Sequence, residues 1–295
     1  MKRVFIAGCG YIGQRVARLS REAGYGVTCL VRSADHGREL EAEGFTSVVC
    51  PLDDPEGIPG LDVAGSVLLY CVPPPGGGII DSRARNFVEA LKTGPAPAKV
   101  VYLSATSVYG EADGGVVSEA SPTVPSSAMG KRRLDAEAVF REYGATHGAG
   151  VVILRVSGIY GPGRLPLMQI NQGQPLLREE ESGPSNRIHA DDLANICLAA
   201  AEKGEDGDVF NVSDGHPRSM TAYFNAVADA LGLPRQPQVT MEEARRVMSP
   251  LMISYVSESR VVDNSLMLKK LGVTLHYPAL AEGLAASIPF SAGKP

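Results

Sequence analysis

Short apolar runs, each closed by glycine, proline or small polar residues, recur along this chain. Val4–Ala7 is the first, and it reads as a buried parallel strand. Val16, Leu19 and Ala23 behind it fall on one side of a helix. The strand pattern returns at Val27–Val31, Ser47–Cys50, Ser66–Val72, Lys99–Leu103 and Val151–Val156. Helical stretches are expected at Gly37–Glu43, from an N-cap at Asp81 through Leu91, and from about Ala128 to Tyr143. Strands alternating with helices at this spacing imply βαβ units and a parallel sheet. The fold class is therefore α/β, a Rossmann-type doubly wound sheet.

From Leu165 the texture changes. Residues 164–184 are less periodic and carry Pro166, Gly173, Pro175 and Gly183-Pro184. Asp191–Ile196 opens a helix into Ala199–Ala201, and Asp208–Val212 reads as another strand. Helices are expected near Thr221–Leu231, Met241–Met248, Ser265–Leu271 and Ala279–Ser287, with a frayed end over 291–295. This divides the chain into a doubly wound domain over 1–164, to which 190–232 largely returns, and a smaller α/β part. That second part comprises 165–189 and 233–295.

Composition narrows the function classes. With 295 residues the chain can bury a sizeable core. It is 44% hydrophobic and 21% charged, with a formal net charge of −5. No basic cluster exceeds Lys131-Arg132-Arg133, which argues against nucleic acid as a partner. No apolar stretch reaches membrane-spanning length. Lys2-Arg3 before an apolar run imitates a secretory leader, but Gly8, Gly10 and Gly13 interrupt it and no cleavage pattern follows. The expectation is a cytoplasmic chain acting on a small molecule. Its five cysteines include no CxxC pair, so neither disulfides nor a metal site is expected.

The chemistry starts at Gly8-Cys9-Gly10-Tyr11-Ile12-Gly13, a GxGxxG between a strand and a helix. The first glycine permits the tight turn, the second lets a pyrophosphate approach the backbone, and the third lets the helix pack close to the strand. The helix N-terminus then favours the diphosphate's charge. The second strand ends at Arg32-Ser33, where an acidic residue would hold the ribose 2′-hydroxyl of NAD. A guanidinium with a neighbouring hydroxyl instead suits a 2′-phosphate, so NADP is the favoured cofactor and NAD the alternative, with Asp35 complicating the choice. The Pro73–Gly78 loop at a strand's carboxyl end reads as a wall of the cofactor site.

With these motifs, the chain resembles the extended short-chain dehydrogenase/reductase family, the NAD(P)-dependent epimerase/dehydratase group. It looks most like that group's small atypical members. The resemblance runs through Ser104–Gly110, Leu154-Arg155-Val156 to Gly163-Arg164, Arg187–Ala194 and Phe210–Gly215. It implies cofactor contacts at Tyr11, Ile12, Leu52, Val72, Pro73, Ser104 and Val156, besides the glycines, Arg32 and Ser33. It also implies that the domain over 1–164 is dinucleotide-binding, that the smaller part binds substrate, and that a homodimer forms through the helices after the fourth and fifth strands.

The family's chemistry uses a Tyr-x-x-x-Lys pair on the helix after the fifth strand, with a Ser or Thr at that strand's end. Spacing of four puts the pair on one helix face, and the lysine lowers the phenol's pKa from about 10. Lys131 is taken as the lysine, which also holds the nicotinamide ribose; four residues back lies Ser127. The Ser or Thr position is Ala105, and the neighbouring Thr106 can orient a substrate oxygen. A serine hydroxyl is a poor general base beside a phenol. Tyr109, Tyr160 and His189 are other proton carriers that the sequence alone does not place. Arg187 can meet a substrate diphosphate, or pair with Asp191 or Asp192.

Three functions follow. The favoured one is an NADP-dependent oxidoreductase or epimerase acting on a nucleotide-sugar or related carbonyl or alcohol, with a non-standard active site. The second is an inactive NADP-binding sensor or scaffold. The third is a hydroxysteroid-type dehydrogenase or decarboxylase acting on a bulky apolar alcohol.

Overall fold

The apolar runs become strands Arg3–Ala7 (β1), Gly26–Val31 (β2), Thr46–Val49 (β3), Val67–Tyr70 (β4) and Lys99–Ala105 (β5). Val116–Val117 (β6) and Gly150–Val156 (β7) follow. The intervening helices are Tyr11–Glu22 (α1), Ala34–Ala42 (α2), Ser82–Leu91 (α3) and Ala128–His147 (α4). The computed structural model describes residues 2–257 and 259–288, so the end expected to fray over 291–295 lies outside the described residues. Next come Gly158–Tyr160 (β8), Leu167–Asn171 (α5), Leu176–Leu177 (β9), Pro184–Ser185 (β10) and Arg187–His189 (β11). Ala190–Lys203 (α6), Val209–Val212 (β12), Arg218–Ser219 (β13), Met220–Leu231 (α7), Gln238–Val239 (β14) and Met241–Val247 (α8) continue the order. Pro250–Ser257 (α9), Val261–Val262 (β15), Ser265–Leu271 (α10) and Leu280–Ser287 (α11) complete it.

Seven strands form one parallel sheet in the order β3-β2-β1-β4-β5-β7-β12. The chain winds outward from β1 through β2 to β3, then returns to add β4, β5, β7 and β12 on the other side. The strand order therefore reverses between β1 and β4, where a doubly wound sheet opens its ligand crevice at the carboxyl ends. Side chains alternate across the sheet. Val4, Ile6, Cys29 and Val31 pack with α1 and α6, whereas Phe5, Ala7 and Leu30 pack with α3 and α4. Helix α4 runs to His147, a turn beyond the expected end, because Gly148 supplies the left-handed cap at φ 73°.

The smaller elements form two-stranded pairs, β10 with β13, β11 with β8, β14 with β9 and β15 with β6. Tyr160, Tyr223, Phe224, Leu280 and Leu284 make a separate apolar cluster there. One boundary differs from expectation. Met267 and Leu271 of α10 are fully buried in the main core beside Leu193 and Phe210, so 265–271 packs on the sheet layer instead of with the smaller part. No helix among the described residues is long and apolar enough to cross a membrane.

Candidate cofactor site

The crevice above β1 and β4 is a cavity of about 450 Å³, within the usual range for small-molecule sites. Each glycine of the turn has a visible reason. Gly8 has φ +83°, and a Cβ there would lie 2.8 Å from the Val72 backbone nitrogen on the neighbouring strand end. At Gly13 a Cβ would lie 2.8 Å from the Gly8 carbonyl oxygen and 3.1 Å from Ile6. A Cβ at Gly10 would meet nothing within 4 Å, and this residue lines the cavity. It is also the N-cap of α1 and offers no capping side chain, so the first amides of that helix are left for a ligand. A dinucleotide diphosphate fits that arrangement.

Ten of the expected residues line the cavity together: Gly8, Gly10, Tyr11, Ile12, Arg32, Leu52, Val72, Pro73, Ser104 and Val156. The Pro73–Gly78 loop is anchored by Arg132 of α4, whose Nη1 donates to the carbonyls of Gly77 (3.0 Å) and Gly78 (2.7 Å). Ser33 does not line the cavity; it caps α2 without a side-chain bond. His36, one turn along α2, does line it and lies 2.7 Å from the Gln14 amide nitrogen. Spacing alone conceals this residue, since Ser33 is the nearer polar neighbour of Arg32.

The expected catalytic group comes apart. Lys131 is exposed and outside the cavity wall; the basic residue that α4 presents there is Arg133. The reason is helical geometry: two residues turn the chain by about 200°, so positions 131 and 133 face nearly opposite ways. Arg133 Nη1 donates to the Leu103 carbonyl at 2.8 Å and to the Tyr102 hydroxyl at 3.4 Å. Its Nε is buried without a partner. The residue one turn before Arg133 is Met129, not Ser127. Ser127 is the N-cap of α4, its hydroxyl accepting from the Gly130 amide at 3.2 Å. Thr106 opens a 3-10 turn over Thr106–Tyr109, buried and away from the cavity, with its carbonyl accepting from Arg260.

The other proton carriers are occupied or enclosed. Tyr109 donates to Asn211 at 2.7 Å, accepts from Arg155 at 3.0 Å, and is 4% exposed. Tyr160 is fully buried, and burial pushes its hydroxyl well above the ordinary tyrosine value. His189 is enclosed as well, its pKa lowered by burial. Arg187 lies outside the cavity lining. Its guanidinium sits 4.6 Å over the Tyr223 ring and donates to the Asn186 carbonyl at 2.9 Å. It pairs with neither nearby aspartate: Asp191 holds Arg15 at 2.8 Å, and Asp192 accepts from the amides of His276 and Tyr277.

Sequence reading missed several wall residues, among them Asp53, Arg83, Leu103, Arg133, Ile159 and Arg164. Arg83 and Arg133 stand on helices, Leu103 and Ile159 on strands, and Asp53 and Arg164 in the loops that follow strands. Among the described residues Asp53 is the single carboxylate on the wall, and it is held by Arg83 in two bonds of 2.7 and 2.9 Å. That pairing keeps its carboxyl below the ordinary range. The lining is thus rich in cations, with Arg32, Arg83, Arg133 and Arg164 all present. No cluster of three or more His, Cys, Asp or Glu placed to hold a metal ion occurs among the described residues.

Comparison with known proteins agrees with this geometry. Residues 83–213 match the model of the NAD dependent epimerase/dehydratase family. Protein YeeZ of Escherichia coli strain K12 is 24% identical over 288 residues, covering 94% of this chain and 97% of that one. A functionally unknown conserved protein from Silicibacter pomeroyi DSS is 29% identical and superposes with a TM-score of 0.81, over 97% of this chain and 98% of the other. UDP-glucuronic acid 4-epimerase from Bacillus cereus, solved in complex with NAD, shares the fold at a TM-score of 0.75 and 20% identity, covering 97% of each chain. Glycine turn, parallel sheet and these likenesses agree: residues 83–213 are similar to the NAD dependent epimerase/dehydratase family, and the whole chain shares the fold of the UDP-glucuronic acid 4-epimerase.

Proposed function

We propose that this chain binds NADP in the cavity above β1 and β4 and does not use the family's tyrosine–lysine proton transfer. The observation that carries this reading is Arg133 on the cavity wall with Met129 one helical turn before it. A thioether cannot take or give a proton, and a guanidinium stays charged at any physiological pH. Ala105, at the end of β5, adds no hydroxyl. What remains is well suited to holding a dinucleotide. The glycine turn accepts the diphosphate, Arg32 with His36 favours a 2′-phosphate, and Arg133 donates towards a ribose. NADP, when bound, supplies or accepts a hydride at its nicotinamide ring. Calorimetry tests the reading: NADPH should bind at least tenfold more tightly than NADH, and Arg32→Ala should remove the difference. Equal affinities in the unmodified protein would overturn the NADP assignment.

A second reading, turnover of a nucleotide-sugar or related carbonyl, draws on Arg187. This guanidinium forms no ion pair among the described residues and packs against Gly158 and Tyr223, with Asp214 acting on it; a substrate diphosphate would have to reach it beyond the cavity lining. Protein loaded with NADPH and incubated with pooled nucleotide sugars decides between the readings. Hydride or isotope exchange that Arg187→Ala abolishes would favour turnover; none would leave the binding protein.

A further inference from the structure

The two halves of the cavity carry different charges. The strands β2 and β3, on one side of β1, supply Arg32, Leu52 and Asp53, with His36 from the helix between them. On the other side, beyond β4, the strands β5 and β7 supply Leu103, Ser104 and Val156, and α4 adds Arg133. On the NADP reading above, on which this inference rests, adenosine lies on the Arg32 side. With the diphosphate at the glycine turn, the nicotinamide half then lies on the Arg133 side.

Among the described residues, that half of the wall carries no carboxylate. Asp135 is engaged by Arg85, and Glu137 by Arg155 at 2.9 Å. Asp53 is across the cavity and held by Arg83. Asp81, off the wall, accepts from the Ala84 amide at 3.0 Å; burial raises its pKa, and Arg133 acts to lower it. Tyr102, which accepts from Arg133, is pushed up to about 12 by burial and stays a neutral phenol. Arg164, exposed, adds a second cation to the wall.

The oxidised nicotinamide ring carries a positive charge, whereas the reduced ring carries none. We infer that the unpaired guanidinium of Arg133 makes this cavity select the reduced dinucleotide over the oxidised one. Like charges in a partly enclosed site repel far more than in water, so the penalty falls on the oxidised form alone. A protein of this kind either works in the reducing direction or is occupied in proportion to the reduced cofactor pool.

The test compares NADPH and NADP⁺ affinities at one ionic strength for the unmodified protein, Arg133→Met and Arg133→Lys. NADPH should be favoured by about tenfold or more, which raises the bound couple's potential by about 30 mV per factor of ten. Arg133→Lys, which keeps the cation, should retain the preference, and Arg133→Met should bring the two affinities within about threefold. Equal affinities in the unmodified protein, an unchanged preference in Arg133→Met, or a preference lost in Arg133→Lys would each overturn the inference. If Arg133→Met does not fold, the other two proteins still decide it. Failure of the unmodified protein to bind either form would overturn the NADP reading itself, while equal binding sinks only the redox preference.

Discussion

The Ser104 hydroxyl on the cavity wall donates to Glu137 Oε1 at 2.7 Å, behind the wall and away from the ligand space. The same carboxylate receives Nε and Nη2 of Arg155 at 3.1 and 2.9 Å, and Arg155 in turn reaches Tyr109. The serine proton is therefore committed to a buried network that ties β5, α4 and β7 together. Glu137→Gln would leave Arg155 charged and uncompensated, and should cost about 3–5 kcal/mol of stability. Ser104→Ala removes one hydrogen bond and should cost about 1 kcal/mol. Denaturant midpoints at unchanged slope measure both, and equal losses would refute this division of roles.

The glycine turn separates folding from binding. Gly10→Ala places a methyl group in open space and displaces no neighbour, so stability should change by less than about 1 kcal/mol. Dinucleotide affinity should nevertheless fall at least tenfold, because the methyl group stands where the diphosphate approaches. Gly13→Ala behaves oppositely. Its methyl group meets the Gly8 carbonyl at 2.8 Å, so the protein itself should lose about 1–3 kcal/mol. Thermal melts beside calorimetric titrations of both variants check the contrast.

What could be read from the sequence follows from how local each feature is. The parallel sheet, the glycine turn and Arg32 were legible because apolar runs and strand-end residues lie within a few positions of one another. The basic residue of α4 was not. Lys131, Arg132 and Arg133 are consecutive, and spacing cannot say which of them faces the crevice. One difference shows only in the fold: Glu137, four residues after Arg133, is fully buried, whereas Asp135, four after Lys131, is partly exposed. A second lies in Gly130, where a Cβ would fall 2.4 Å from the Ser107 carbonyl, fixing how the helix start abuts the turn after β5. Neither shows without the tertiary neighbour.

Rebuilding the family's proton transfer discriminates the two helix registers. Ser127→Tyr alone should give no exchange activity and should lose about 1 kcal/mol, since it removes the α4 N-cap. The combination Ala105→Ser, Met129→Tyr and Arg133→Lys restores a hydroxyl at the end of β5 and a phenol and lysine on one face of α4. Isotope exchange from labelled NADPH into a carbonyl substrate should appear only in the combined variant. Activity in Ser127→Tyr would instead support the register that starts from Lys131.

Asp214 gives the pH dependence. Its side chain is 5% exposed and accepts from the His216 amide at 2.9 Å, yet burial raises its pKa from 3.8 to about 6. The folded state thus binds this proton more tightly than the unfolded state does. The stabilisation this provides is complete below about pH 4 and is lost as pH rises through about 6. Two pH units correspond to roughly 2–3 kcal/mol, since each unit is about 1.4 kcal/mol. Asp214→Asn keeps an acceptor for the His216 amide and has no charge to bury. Relative to the unmodified protein it should gain about 2 kcal/mol between pH 4 and pH 8, read as the difference in unfolding free energy. A difference that stays flat across that range would show that the Asp214 carboxyl titrates as though exposed.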